Sequence, residues 1–204
     1  REGGKENYSN FLKFLISLNK NKKELSLKYL NKISYPDPYL YDWKNEKGYK
    51  IGIISYKSLF LANETKLNET LNKILRKNGF SPKTIFVSSL KKFKIHQEIS
   101  KLIKDEKIKL LFTTTSFDSA ISQYSSNEIE NKNLFEKINL PVFQILTSSK
   151  SKQEWLNSNI GMNSIDLLMQ IIIPEFDGRI ATLPCAFKEI SYVNKYLCSE
   201  ITKY

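Results

Sequence analysis

The sequence predicts an α/β domain, a doubly wound and mostly parallel sheet preceded by a short helical leader. Two observations carry this. Apolar runs of strand length recur at 49–56 (Y-K-I-G-I-I-S-Y), 84–88, 107–114, 141–147 and 179–186. They are nearly continuous rather than alternating, as strands covered on both faces must be. Between them lie segments of helical period, and a chain that alternates strand and helix folds as a parallel sheet with helices packed on its faces.

Taken in order, residues 7–18 set Phe11, Phe14, Leu15 and Leu18 at helical spacing behind the flexible Gly3-Gly4 pair. A second short helix is expected at 24–32. Residues 35–43, Y-P-D-P-Y-L-Y-D-W, combine two prolines with four aromatics and read as an extended packing segment without regular structure. The first strand follows at 49–56. An amphipathic helix at 63–77 sets Leu67, Leu71, Ile74 and Leu75 on one face, with Asn78-Gly79 as its stop. Further helices are expected at 95–106, 151–158 and 164–173, and a polar loop, S-S-N-E-I-E-N-K-N, at 125–133. The resulting division is a helical leader and aromatic/Pro linker at 1–45, a flavodoxin-like or Rossmann-like domain at 46–190, and a tail at 191–204, helical or poorly packed, that continues into a missing region. The chain opens Arg-Glu-Gly-Gly without a methionine, so it reads as an internal piece of a longer protein.

With 204 residues, 41% of them hydrophobic and 12% aromatic, the chain is large enough and apolar enough for a real core. The net charge is +11, but Arg occurs only at positions 1, 76 and 179 and the lysines are scattered. That distribution disfavours a nucleic-acid patch. Cys185 and Cys198 have no histidine nearby, which points to neither a metal pair nor a disulfide framework and suits a reducing cytoplasm. The single histidine, His96, reads as a surface residue of a polar helix. No run of about 18 apolar residues suggests a membrane span, and no signal peptide is visible.

The densest chemistry lies at 163–188, N-S-I-D-L-L-M-Q-I-I-I-P-E-F-D-G-R-I-A-T-L-P-C-A-F-K. An apolar helix is expected to break at Pro174, which lacks an N–H and clashes with the preceding turn. Glu175, Asp177, Gly178 and Arg179 then follow on a turn, an arrangement that suits a ligand site or an internal salt bridge equally. In doubly wound sheets ligands bind beyond the carboxyl ends of the strands. Here those ends carry Ser55, Tyr56 and Lys57, then Ser88 and Ser89, then 113–117, then 147–149, a set rich in hydroxyls. No glycine-rich phosphate loop, nucleophile elbow, Ser-His-Asp set or His/Cys metal set can be assembled. An independent nucleotide or metal enzyme is therefore not indicated.

Several stretches together resemble the family of CobN-type cobaltochelatase large subunits, related to the large subunit of magnesium chelatase. They are E-G-G-K-E-N-Y-S-N-F-L-K-F-L, I-G-I-I-S-Y-K-S-L-F-L-A-N, L-F-T-T-T-S-F, and the segment from L-P-V-F-Q-I-L-T to P-E-F-D-G-R-I with Trp155 six residues before Gly161. The resemblance runs from about residue 1 to 190. It implies a fragment of a tetrapyrrole-binding subunit of a metal chelatase, a ligase forming nitrogen–metal bonds in cobalamin biosynthesis. The fragment alone would be inactive and hold no cofactor of its own. Cobalt would be the metal substrate, hydrogenobyrinic acid diamide the corrin substrate, and ATP would be used by an AAA+ partner subunit and its companion. Asp-Gly-Arg-Ile followed by Ala-Phe-Lys leans toward cobalt, with magnesium insertion into protoporphyrin as the alternative. Within that resemblance Glu175 and Asp177 are the candidate catalytic carboxylates, since carboxylates can pass a metal in and take protons out. Arg179 and Ser116 would bind substrate polar groups, and Trp155, Tyr56 and Phe117 would offer flat apolar faces.

Two other classes remain open at this level. One is a non-catalytic α/β scaffold for subunit contact, consistent with the unspecialised strand ends. The other is a periplasmic-type small-molecule binder, disfavoured by the missing signal peptide.

Overall fold

A computed structural model describes residues 3–19, 28–29, 32–116, 121–125, 128–188 and 196–197. Its centre is a parallel sheet made from the five apolar runs. Strand β2 (Lys50–Tyr56) lies between β3 (Ser81–Val87) and β4 (Leu110–Thr113), with Ile53 paired to Thr84 on one side and Phe112 on the other. Strand β7 (Val142–Ser148) follows β4, and β8 (Ile180–Lys188) follows β7. The parallel order β3-β2-β4-β7-β8 is the 2-1-3-4-5 order of flavodoxin-like folds, not the Rossmann order. The chain switches direction between β2 and β4, which is where such folds open a crevice.

Both faces of the central strands β2, β3, β4 and β7 are covered, which is why they are largely apolar, whereas β8 toward the sheet edge leaves Ile180 and Leu183 exposed. On one face α4 (Phe93–Asp105) and α5 (Leu134–Ile138) bury Ile95, Ile99, Ile103, Leu134 and Phe135 against Ile54, Ile85, Val87 and Leu111. On the other, α3 (Lys66–Lys77) buries Leu67 and Leu71 against Ile53, Ile145 and Ala186. Gly52 is the point of closest approach within β2. A Cβ there would stand 2.5 Å from Leu111 Cδ2 and 3.4 Å from Ile108, so glycine leaves the space that the fully buried Leu111 fills.

The structure departs from the sequence reading at several places. Residues 39–41 are a regular element after all: β1 (Tyr39–Tyr41) adds antiparallel to β3 and closes one sheet edge. Ring contacts fix it there, Tyr41 to Phe86 at 5.5 Å and Tyr39 to Phe60 at 4.3 Å. Arg76 of α3 ties the same linker down through Asp42 at 2.5 Å and Glu46 at 2.8 Å. The expected polar loop at 125–133 is largely a two-stranded antiparallel ribbon, β5 (Ile121–Ser125) and β6 (Glu128–Lys132), because paired strands satisfy each other's backbone whatever their hydropathy. The expected 63–77 helix begins later, at Lys66, and a separate short helix, α2 (Lys57–Leu61), leaves β2 directly. His96 is buried, not on the surface, and its Nε2 bonds to the Leu90 carbonyl. One polar atom facing a main-chain partner is enough to bring an imidazole inside.

Leader helix α1 (Lys5–Asn19) forms as predicted, but Phe11, Leu15 and Leu18 remain exposed. It is anchored at its start, where Gly4 N–H donates to Leu61 O and Asn7 exchanges hydrogen bonds with Ile33. A final two-residue strand, β9 (Tyr196–Leu197), pairs antiparallel with the end of β8. Most of the expected helix at 24–32, all but residues 28–29 and 32, and the rest of the tail lie outside the described residues.

Two outcomes test this packing. Gly52→Val overfills the space beside Leu111 and should lower stability by about 1–3 kcal/mol in urea unfolding. The start of β2 is also bound to the end of α4 by Lys50 Nζ to Glu106 Oε2 at 2.7 Å. That bond holds the Glu106 carboxyl below its ordinary value. A carboxyl depressed in the folded state adds stability above its unfolded pKa of about 4.3, and loses it as pH falls through the folded value. Lys50→Met should therefore raise the Glu106 pKa in an NMR titration and flatten the acid limb of stability, by no more than about 1 kcal/mol for a partly exposed pair.

Candidate functional site

The switch point, where flavodoxin-like folds open a crevice, is built by the ends of β2 and β4. Ser55 Oγ, fully buried, accepts from Asn68 Nδ2 at 2.7 Å and from Thr114 Oγ1 at 2.9 Å. The neighbouring Tyr56 Oη accepts the Ser116 N–H at 3.1 Å, and Ser116 Oγ accepts from Gln170 Nε2 at 3.2 Å. Two of the expected binding residues, Tyr56 and Ser116, thus meet. Asn68 and Gln170 join them from α3 and from the helix at 164–176. The carbonyl oxygens Asn68 Oδ1 and Gln170 Oε1 are buried without a hydrogen-bond partner among the described residues. A buried acceptor left this way costs about 1–3 kcal/mol unless water or a ligand meets it.

The helix that brings Gln170 to Ser116 is irregular. Asn163 caps its start by accepting from Asp166 N–H, and α7 (Ser164–Leu167) leads into a π-helical turn (Leu168–Ile172) and then α8 (Ile173–Phe176). The expected break at Pro174 does not occur. The Ile173 N–H reaches back to Leu168 O, a five-residue step. The wider turn absorbs both the missing Pro174 donor and its ring. The helix ends after Phe176, where Asp177 and Arg179 N–H groups both return to Pro174 O and Gly178 takes φ +76°.

That ending separates the three residues expected to act together. Glu175 is exposed, while Asp177 and Arg179 are 3% and 2% exposed. Arg179 Nη2 donates to Asp177 Oδ2 at 2.5 Å, and Nη1 donates to Thr115 O at 2.6 Å and Gln144 Oε1 at 3.1 Å. Its guanidinium lies 4.9 Å from the Phe135 ring centre. Asp177 in turn accepts from Asn133 Nδ2 at 3.1 Å. The pair faces inward, as the salt-bridge reading of the turn requires, and its groups bond one another and the strands. Sequence reasoning missed Gln144 and Asn133. The signal for Gln144 was present, a lone amide inside the apolar run of β7, where a polar side chain needs a buried partner.

A further set of bonds closes the β7 end. Ser149 N–H and Oγ both donate to Asp166 Oδ2, at 3.0 and 2.6 Å, and Lys150 Nζ donates to Gly161 O at 2.9 Å. Helix α6 (Lys152–Leu156) starts with a Ser151–Glu154 capping box. Its Trp155 packs edge-on against Phe187 at 5.7 Å, so Trp155 is partly committed to packing and stands apart from Tyr56. Phe117 lies outside the described residues. Among the described residues no group of three or more His, Cys, Asp or Glu could hold a metal ion, and no helix is long and apolar enough to cross a membrane.

Comparison with known proteins gives a consistent result. A family model described as CobN/Magnesium Chelatase matches residues 1–204. The chain is 29% identical over 141 residues to the aerobic cobaltochelatase subunit CobN of Sinorhizobium, covering 69% of this chain and 11% of that protein. It is 25% identical to the CobN subunit of Pseudomonas aeruginosa, covering 76% of this chain and 12% of that one. An uncharacterized protein of Methanocaldococcus jannaschii is 28% identical over 151 residues. The fold matches the catalytic subunit of cobaltochelatase from Mycobacterium tuberculosis with a TM-score of 0.70 at 18% identity, over 98% of this chain and 17% of that one. The chain thus spans about a tenth of the length of the curated relatives it matches.

The buried pair makes a specific prediction. Asp177→Ala leaves the Arg179 guanidinium buried without its counter-charge and should cost about 3–5 kcal/mol of stability. The double variant Asp177→Ala/Arg179→Met should recover part of that loss in the same denaturant titration. Arg179→Lys should not substitute, because one ammonium cannot reach Thr115, Gln144 and Asp177 together.

Proposed function

The chain belongs to the CobN/magnesium chelatase family, and from that premise we propose that it is a segment of the tetrapyrrole-binding large subunit of a cobalt-inserting chelatase. The observation that carries the reading is the family match over the whole chain, joined by two relatives that are named cobaltochelatase subunits. In this reading cobalt is the metal substrate and a corrin precursor, hydrogenobyrinic acid diamide, the organic one. ATP is hydrolysed by an AAA+ partner subunit and its companion. The complex works in the cytoplasm. The segment has no activity alone.

The chemistry assigned to the site follows from what each group is free to do. Glu175 is the exposed carboxylate at the end of the helix before the turn, able to take a pyrrole proton or hand on a metal ion. Asp177 and Arg179 bond to each other, so their part is to hold the turn that presents Glu175. Any direct role in proton transfer for Asp177, or in binding a substrate carboxylate for Arg179, requires that pair to open. Tyr56 and Ser116 supply a polar edge at the switch-point crevice, and Trp155 and Phe117 are the remaining aromatic candidates. The inward-facing pair equally supports a second reading, in which this segment is an α/β scaffold for subunit contact and the chemistry lies elsewhere in the protein. Magnesium insertion into protoporphyrin is the alternative within the family.

The test uses the full-length subunit with its ATPase partners. Cobalt insertion into the corrin precursor, followed by absorbance, is expected to depend on ATP, and insertion of magnesium into protoporphyrin instead would overturn the cobalt assignment. Glu175→Ala should lower the insertion rate at least about tenfold while tetrapyrrole affinity, read by fluorescence quenching, changes little. Unchanged insertion would favour the scaffold reading.

A further inference from the structure

The segment from α6 to α8 shares with α1 an exposed apolar side, and differs from it in carrying no Lys or Arg beyond Lys152. It leaves Leu156, Ile160, Ile165, Leu168, Ile172 and Phe176 exposed, with Ile160 at 83%, Ile165 at 73% and Phe176 at 86%. Ile165, Leu168, Ile172 and Phe176 follow one another at steps of three and four, so they form a stripe along the outer side of the helix. Neither Lys nor Arg occurs between Lys152 and Arg179. This is the longest interval without either in a chain that carries 32 of them. Helices α3 and α4, by contrast, carry lysines on their outer faces, at Lys66, Lys73, Lys101 and Lys104. Isolated exposed apolar residues are ordinary, but a contiguous stripe with the solubilising residue excluded marks a face built to be covered.

We propose that this face is an interface within one polypeptide: in the full-length subunit another apolar segment of the same chain docks on it. The choice of occupant rests on length. Family members that contain this fold continue for several times its span in a single chain, this segment being 11–12% of the curated relatives and 17% of the structural neighbour. A tethered apolar surface of the same chain meets the stripe at an effective concentration a free partner rarely reaches. The docking also has a consequence for the crevice. The inner side of the same helix holds Ser116 through Gln170 and Ser149 through Asp166, so covering the outer side holds two strand-end loops in place. The inference rests on family membership and not on which metal or tetrapyrrole is used.

Thiol labelling of the full-length subunit tests it. Ile165→Cys and Phe176→Cys are compared with Lys101→Cys, an exposed control on α4, and labelled peptides are located by mass spectrometry so that native cysteines do not interfere. With the subunit alone and dilute, the first two variants should label at least about tenfold more slowly than the control and become equal to it in urea. Amide hydrogen exchange at 165–176 in the unmodified subunit should show matching protection, which guards against a variant that disturbs folding. Labelling as fast as the control, with no amide protection, would overturn the proposal. So would protection that grows with subunit concentration, which means a second copy, or that arises only when partner subunits are added. Because the readout is labelling and exchange, its failure is distinguishable from failure of the chelatase assay.

Discussion

The Asp177–Arg179 pair is the constraint on which the candidate site depends. A guanidinium and a carboxylate both almost fully removed from water are tolerable only when nearly every polar edge is met. Here the partners come from four places: Thr115 beyond β4, Gln144 in β7, Asn133 ahead of α5, and the turn before β8. Fixing one pair therefore fixes the relative positions of two neighbouring strands, the cap of a helix and the entry to a third strand. Glu175 and Gln170 inherit their placement from it, one at the end of the helix that precedes the turn and one in its middle.

The helix itself shows how a local misfit can be used. Proline near a helix end ordinarily stops it. The π-helical turn at Leu168–Ile172 lets the helix run through Pro174 to Phe176. One side of this element reaches the strand-end loops with polar groups and the other presents apolar residues outward. A π turn widens the helix and re-aims side chains on either side of it, which is why such turns recur where a helix serves two surfaces.

Much of the fold was legible before any coordinates. The five strands of the parallel sheet, the flanking helices and the class of sheet follow from periodicity, because strands covered on both faces, as the central four are, must be apolar along their length. The family was legible from an ordered set of short motifs. The site was legible in part. Tyr56 and Ser116 meet, since strand carboxyl ends converge at a switch point by topology. Glu175, Asp177 and Arg179 do not share a surface, because spacing in sequence says nothing about which side of a turn points inward. Trp155 and Tyr56 are both near strand ends, but one belongs to the end of β7 and packs on β8, so they do not form one aromatic wall.

What the sequence by itself determined is the set of elements and their order, because hydropathy and turn chemistry act over a few residues. What only the tertiary structure decided is how polar groups far apart in the chain are spent. Gln144 and Asn133 turned out to be partners of the buried pair, His96 a buried residue, and 39–41 an edge strand. Each depends on a neighbour at least six positions distant, and most on one more than thirty away. The outward apolar stripe at 165–176 is the same lesson reversed. The sequence read it only as an apolar helix, and the folded domain showed that nothing among the described residues covers its outer side.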